Sequence, residues 1–267
     1  MIQSVLKAIK VMGLFSSAEP VLTLGQISTR LEIPRSTAHN ILSTLMAAGY
    51  IEKVEGDAYA LGKAIIALTQ GVLVNVELRD RAAPLMRELA DQCRESVYLT
   101  VRDGDAVLYI YAIESSRRLR ARSAVGDHAP LHCTSVGKSI LGALPIAETE
   151  QIIARTELLA FTPHTITNPD TLKAELEKTR QRGYAIDQQE HELRTFCIGA
   201  PVLDGLGRVI GACSISGADP EIVGARLGEL STQVAATAEE ISRRMGYVPA
   251  KPSRVADKPR SHVPITI

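Results

Sequence analysis

Two hydrophobic rhythms follow one another along the chain, and the change between them marks where helices give way to strands. Val5, Ile9, Met12 and Leu14 recur at helical spacing with polar residues between them, which predicts an amphipathic helix ending near Ser16-Ser17. Thr23-Leu24-Gly25-Gln26 has the Thr-x-x-Gln form, in which hydroxyl and amide side chains each satisfy a free backbone amide at a helix start. A second helix is therefore expected from Thr23, with Leu24, Ile27 and Leu31 inward and an end at Glu32-Ile33. Pro34 opens a third, where its missing N–H costs nothing. That helix turns Ala38, Ile41, Leu42 and Leu45 inward and stops at Gly49, a residue suited to the left-handed turn after a helix. Tyr50 to Val54 and Ala58 to Leu61 then flank Glu55-Gly56-Asp57, the pattern of a small hairpin with a polar tip.

Residues 63–78 have long-helix character broken only by Gly71, and they predict a connector. Beyond Arg79 a helix through Pro84 to Arg94 precedes strands at Val97–Thr100 and Val107–Ile113, with an Asp103-Gly104 turn between them. Strand-like alternation follows at Arg118-Leu119-Arg120-Ala121-Arg122. Helices are expected at Ser135–Leu144, Ala147–Arg155 and Pro169–Arg182, the last ended by Gly183. Strands are expected at Tyr184–Asp187, Cys197–Val202 and Val209–Ser216, then a final helix from about Pro220 to Met245. Strands with helices interspersed predict an α+β domain on a mostly antiparallel sheet. The expected organisation is a reader at 1–62, a linker helix at 63–78, a larger domain at 79–246 and a tail at 247–267. Four prolines and several charges after Val248 predict disorder in that tail.

Composition narrows the partners by exclusion. Of 267 residues, 45% are hydrophobic and 22% charged, the balance of a soluble globular protein. Lys plus Arg (30) equals Asp plus Glu (30), so nucleic-acid binding has to rest on a local surface and not on net charge. The start, Met1-Ile2-Gln3-Ser4, lacks the basic-then-apolar form of a secretory signal. No apolar run approaches the roughly 20 residues that cross a bilayer. A cytoplasmic protein with no membrane partner is expected. Cys93, Cys133, Cys197 and Cys213 are scattered without a CxxC pair, which argues against a zinc module and for reduced thiols. Gly137-Lys138-Ser139 copies the end of a phosphate-binding loop, but His132 stands where that loop needs another glycine. His128 and His132 lie four apart without the glutamate of an HExxH site. Neither metal nor cofactor is expected.

The third helix supplies the first candidate chemistry. With its apolar residues inward, it exposes Arg35, Ser36, Thr37, His39, Asn40 and Ser43. Such residues near a helix N-terminus meet base edges and phosphates in a DNA groove. Ser and Thr bond phosphate oxygens, Asn pairs with adenine, and Arg pairs with guanine or phosphate. A helical bundle with a polar outer face has the same pattern; the hairpin after the helix adds a wing, which such a bundle does not need.

Residues 4–62 resemble the reader domain of the isocitrate-lyase-regulator (IclR) family of bacterial transcription factors. The likeness is carried by Ile33-Pro34-Arg35-Ser36-Thr37-Ala38-His39-Asn40-Ile41-Leu42 and by Leu45-x-x-x-Gly49-Tyr50-Ile51. The family often has Arg at the place of Asn40 and a basic wing residue at that of Ala58; each lost cation removes up to about one unit from the salt dependence of DNA affinity. Residues 1–62 hold five basic side chains (Lys7, Lys10, Arg30, Arg35, Lys53) against five acidic ones (Glu19, Glu32, Glu52, Glu55, Asp57). A monomer is thus expected to bind modestly, and paired half-sites to compensate.

The resemblance continues through residues 79–245, in Leu131-His132-Cys133-Thr134-Ser135-Val136-Gly137-Lys138, in Gly183-Tyr184-Ala185-Ile186-Asp187-x-x-Glu190 with Cys197-Ile198-Gly199-Ala200-Pro201-Val202, and in Ser214-Ile215-Ser216-Gly217. It implies a winged helix-turn-helix followed by a GAF-like effector-binding domain, with Ser135, Val136, Asp187, Cys197, Ser214 and Ser216 around the effector. The chemistry agrees. A helix beginning at Ser135 offers free N–H groups to a carboxylate, and Ser214 and Ser216, two apart on a strand, face one side. Cys197 gives a polarizable wall, and Asp187 an acceptor for a ligand hydroxyl. Arg118, Arg120 and Arg122 form a row that is either a solvated edge or an attractor for an anion; Leu119 and Ala121 point the other way and are further candidates for the pocket wall. Cys197 as plain packing and Ser135 as a plain helix cap stay open, and Arg194 stands where the family has Gly. The resulting expectation is a non-enzymatic regulator, a homodimer or dimer of dimers on double-stranded operator DNA, modulated by a small organic or aromatic acid. Two alternatives remain: a sensor module that does not bind DNA, and an enzyme with Cys197 as nucleophile assisted by Asp187 and His132.

Overall fold

The computed structural model describes residues 1–16, 19–70, 73–115 and 125–248. The first unit comprises α1 (Gln3–Met12), β1 (Val21–Thr23), α2 (Leu24–Arg30), α3 (Arg35–Ala47), β2 (Ile51–Val54) and β3 (Ala58–Leu61). The expected reciprocal cap forms at α2: Thr23 Oγ1 accepts from the Gln26 amide at 3.3 Å, and Gln26 Oε1 accepts from the Thr23 amide at 2.8 Å. The hairpin of β2 and β3 gains a third strand, β1, giving the antiparallel order β1-β3-β2. At three residues β1 is too short to show a two-residue period in sequence. Val11, Leu22, Ile27, Ala38, Leu42 and Ile51 fill the core between these elements.

On α1 the buried side differs from the expected stripe. Val5 and Ile9 are 53% and 56% exposed, whereas Val11 is fully buried with Ala8, Met12 and Phe15 beside it. Apolar residues occupy both sides of this helix, and periodicity alone does not say which side α3 covers.

The connector is α4 (Ala64–Gln70), and α5 follows as one helix, Leu73–Cys93. The expected boundary at 78/79 and the expected helix start at Pro84 both fall inside α5. Leu78, Ala82, Met86, Leu89 and Cys93 make one buried stripe, so packing sustains the helix through Pro84 despite the lost backbone hydrogen bond.

The larger unit is built on β4 (Ser96–Asp103), β5 (Ala106–Ile113), β6 (His128–Pro130), β7 (Ala185–Gln188), β8 (Phe196–Leu203) and β9 (Val209–Gly217). All pairings in the order β6-β5-β4-β9-β8-β7 are antiparallel. The two-residue alternation sorts side chains between two helical layers. Val97, Leu99, Ile198, Ala200, Cys213 and Ile215 face α5 and α9 (Leu227–Arg244). Tyr98 and Ala212 face the other way, toward α6 (Ser135–Ala143), α7 (Ile146–Arg155) and α8 (Pro169–Arg182). The last helix was expected to start at Pro220; a short 3-10 turn, Pro220–Ile222, precedes it instead, and Gly224, a poor helix former, lies in the gap.

The sheet thus has helices on both faces, the α+β arrangement expected. The row at 118–122, with Leu119 and Ala121, and the tail beyond residue 248 lie outside the described residues. Among those described, no helix is long and apolar enough to cross a membrane, and no three His, Cys, Asp or Glu side chains group to hold a metal ion.

Candidate functional site

Two surfaces gather chemistry-bearing residues, and the first is on α3. Ala38, Leu42 and Leu45 anchor its inner side, which leaves Arg35, Ser36, His39, Asn40 and Ser43 exposed and Thr37 half-buried. Pro34 precedes the helix without a side-chain cap, so its first amides keep their capacity to meet an anion. The Arg35 guanidinium makes no ion pair among the described residues. It lies over Gly25, 3.4 Å from where a β-carbon would stand, so the starts of α2 and α3 lie side by side.

Two of the reader's five basic side chains are already engaged. Lys53 pairs with Asp57 at the hairpin tip at 2.5 Å, and Arg30 pairs with Glu19 at 2.8 Å. Ala58, at the place of the family's basic wing residue, is 7% exposed and lies between Thr23 and Val54 in the sheet. Its side chain shares the face of Thr23 and Val54, opposite core-facing Tyr59, so a cation there would point away from the core.

The second surface is a small, partly enclosed cavity between the start of α6 and the sheet. Ser135, Val136, Asp187, Cys197, Ser214 and Ser216 all line it, so every described residue expected around an effector converges there. Strand register explains the convergence. Asp187, Cys197 and Ser216 form one rung across β7, β8 and β9, and Gly199, Ser214 and Tyr98 form the next across β8, β9 and β4.

Glycine lets the helix start approach. A β-carbon on Gly199 would stand 2.8 Å from the Ser135 backbone, and one on Gly137 would stand 2.3 Å from the Leu131 carbonyl oxygen. Gly137, which resembles part of a phosphate loop in sequence, therefore serves close packing at this turn. The helix cap is Thr134 and not Ser135: its hydroxyl accepts from the Gly137 amide at 3.1 Å and donates to the Pro130 carbonyl at 2.8 Å. The Ser135 and Ser214 hydroxyls have no protein partner among the described residues, although each residue is only 3% exposed.

Asp187 accepts from the Glu190 amide at 2.8 Å. Burial pushes its carboxyl up to about 7, because little water remains to solvate the charge. Behind the wall, fully buried Lys138 forms an ion pair with Glu190, tying α6 to the 189–195 loop.

Tyr98, Tyr109, Thr134, His191, Glu192 and Thr195 also line the cavity and escaped the sequence reading. Tyr98 and Thr134 had a usable signal: Tyr98 alternates with Val97 and Leu99, and Thr134 sits at an expected helix start. His191, Glu192 and Thr195 lie on an aperiodic loop. Arg194 belongs to that loop but not to the cavity wall; it is exposed with φ 60°, and its amide donates to Gln189 Oε1 at 2.8 Å.

The Cys197 thiol donates to Ser216 Oγ at 3.1 Å. His132, the base invoked for a nucleophilic Cys197, is not on the cavity wall; its Nε2 lies 3.0 Å from the Leu159 carbonyl oxygen, and burial lowers its pKa.

Comparison with known proteins converges with this geometry. Residues 4–55 match the IclR helix-turn-helix domain, and residues 70–243 match the IclR C-terminal domain of bacterial transcriptional regulators. The chain is 33% identical to the transcriptional regulator KipR of Bacillus subtilis, over 92% of this chain and 98% of that protein. The crystal structure of Thermotoga maritima IclR superposes with a TM-score of 0.80 at 31% identity, covering 92% of this chain and all of that one. An IclR homologue from Microbacterium hydrocarbonoxydans, solved in complex with 4-hydroxybenzoate, has the same fold, with a TM-score of 0.78 at 22% identity over 91% of this chain and 98% of that one. The chain therefore belongs to the IclR family of bacterial transcriptional regulators, in which a helix-turn-helix reader is followed by an effector-binding domain.

Proposed function

We propose that α3 lays its exposed face, from Arg35 to Ser43, in the major groove of operator DNA. Two or more chains pair to read paired half-sites in the cytoplasm, and a small organic acid in the cavity beside α6 biases the pairing. The observation that carries this reading is the start of α6. Thr134 takes the Gly137 amide, which leaves the Ser135 and Val136 amides at the cavity wall without an acceptor inside the helix. Backbone N–H groups at a helix start favour a carboxylate. The related protein solved with 4-hydroxybenzoate holds an acid of this kind. Pairing is supported by Ile2, Val5 and Ile9, whose exposed apolar side chains line α1.

An effector regulates only to the extent that it binds two arrangements unequally. Fluorescence anisotropy with a labelled promoter fragment, at low salt and with a panel of small organic acids, tests the proposal. At least one acid should shift the DNA-binding midpoint several-fold, and Ser135→Pro, which removes one of the two amides, should abolish that shift while leaving acid-free DNA binding intact. Site-selective binding that no acid alters would contradict the effector half of the proposal.

A further inference from the structure

We propose that residues 191–194 form a hinged gate at the mouth of the cavity beside α6, turning at Gln189 and Arg194. This rests on reading that cavity as a ligand site, and it holds for a ligand of any chemistry. Strands supply Tyr98, Tyr109, Asp187, Cys197, Ser214 and Ser216 to the wall, and α6 supplies Ser135 and Val136. His191, Glu192 and Thr195 come instead from the loop between β7 and β8. Of the described lining residues, His191 and Glu192 are half-buried and all others are buried. Among the described residues, the way from solvent into the cavity therefore runs past this loop.

The loop is pinned at its base and strained at both ends. Glu190 pairs with Lys138 of α6, and its carbonyl accepts from the Thr165 hydroxyl at 2.5 Å. The Gln189 carbonyl accepts from the Thr162 hydroxyl at 2.6 Å. The base is thus tied to α6 and to the segment before α8. Five non-glycine residues among those described take a positive φ, and two of them bracket this loop: Gln189 at 63° and Arg194 at 60°. A side chain in that conformation crowds the carbonyl oxygen that follows it, and it persists where neighbouring contacts impose it.

Contacts near the surface help to impose it here. Gln189 Oε1 accepts from the Arg194 amide at 2.8 Å, so the two strained residues brace one another across the loop. His191 packs on Phe161 with ring centroids 5.2 Å apart, and Phe161 itself is 45% exposed. Leu193, at the tip, is 54% exposed. An outward swing of 191–194 breaks these surface contacts and relaxes two strained residues. That balance suits a segment that opens locally while the sheet and α6 stay folded.

Alkylation of the native full-length chain by iodoacetamide, a small neutral probe, tests the gate, with each cysteine followed by peptide mass spectrometry. Cys197 lies on the cavity wall, whereas Cys213 is fully buried on the opposite face of the sheet and reports unfolding. Phe161→Ala and Gln189→Ala, which remove contacts of the closed loop, should each raise the Cys197 rate by about fivefold. Arg194→Gly, which relieves strain in the closed form, should lower it by about threefold to fivefold. None of the three should change the Cys213 rate by more than about twofold. A Cys197 rate that Phe161→Ala and Gln189→Ala leave unmoved, that Arg194→Gly fails to lower, or that rises in step with Cys213 overturns the gate. Each of those outcomes leaves the acid-effector reading standing, because titration of acids against promoter DNA decides it separately.

Discussion

Asp187 sits where a carboxyl is poorly solvated, and that has a sign in both stability and binding. In the open chain its carboxyl titrates near 3.8, and in the folded chain near 7. Between those values the native state holds a proton that the unfolded state has shed, so stability falls as pH rises from about 4 to about 7 and stays lower above. Asp187→Asn should flatten that fall. Denaturant midpoints across this range measure it, and parallel profiles for the two proteins would count against the assignment. The same ionisation should weaken an anionic ligand as pH passes 7. Arg194 makes a second residue-scale prediction. It occupies a left-handed conformation that glycine adopts without strain, and its side chain is no part of the cavity wall, so Arg194→Gly should stabilise the fold by up to about 1 kcal/mol and leave ligand affinity unchanged. Ser214 and Ser216 were legible because alternation puts both on one face. Tyr98 follows the same alternation and was missed because a tyrosine between valine and leucine looks like core. His191 and Glu192 were illegible, since no period positions a loop.

At the scale of elements, the geometry turns on how α6 meets the sheet and the 189–195 loop. Lys138 and Glu190 are both buried, and removing one partner of such a pair strands the other charge. Lys138→Met should therefore cost about 3–5 kcal/mol. The double replacement Lys138→Met with Glu190→Leu should cost less than the sum of the singles; additive losses in chemical unfolding would show that the pair is not coupled. Gly199→Ala should also weaken the unit, by about 1–3 kcal/mol, because its β-carbon meets the Ser135 backbone, and it should shift the α6 amides at the cavity. The helices and strands themselves were largely legible, with the Thr23 cap and the α8 bounds correct in detail. What failed had a common cause. Which side of α1 is covered, and that α5 runs on through Pro84, are decided by partners distant in sequence.

For the molecule as a whole, the net charge of zero and the ion pairs of Lys53 and Arg30 within the reader leave few free cations for phosphates. DNA affinity should therefore fall with salt less steeply than for a strongly basic reader. Asp57→Ala releases Lys53 and should steepen that slope by up to about one unit while raising low-salt affinity; an unchanged slope would show that the hairpin tip stays clear of the backbone. The division into a reader and an effector-binding unit was evident from the change of rhythm and from the family motifs, whereas their coupling was not, because it depends on two arrangements and a sequence describes neither. The central claim is that α3 contacts base edges. Its most direct test is anisotropy of the full chain on its tightest-binding promoter fragment, for the parent, Arg35→Ala and Asn40→Ala, with folding verified in parallel. Each replacement should lower affinity by about tenfold, corresponding to the roughly 1–3 kcal/mol of a base contact; undiminished affinity in both folded variants would contradict the account.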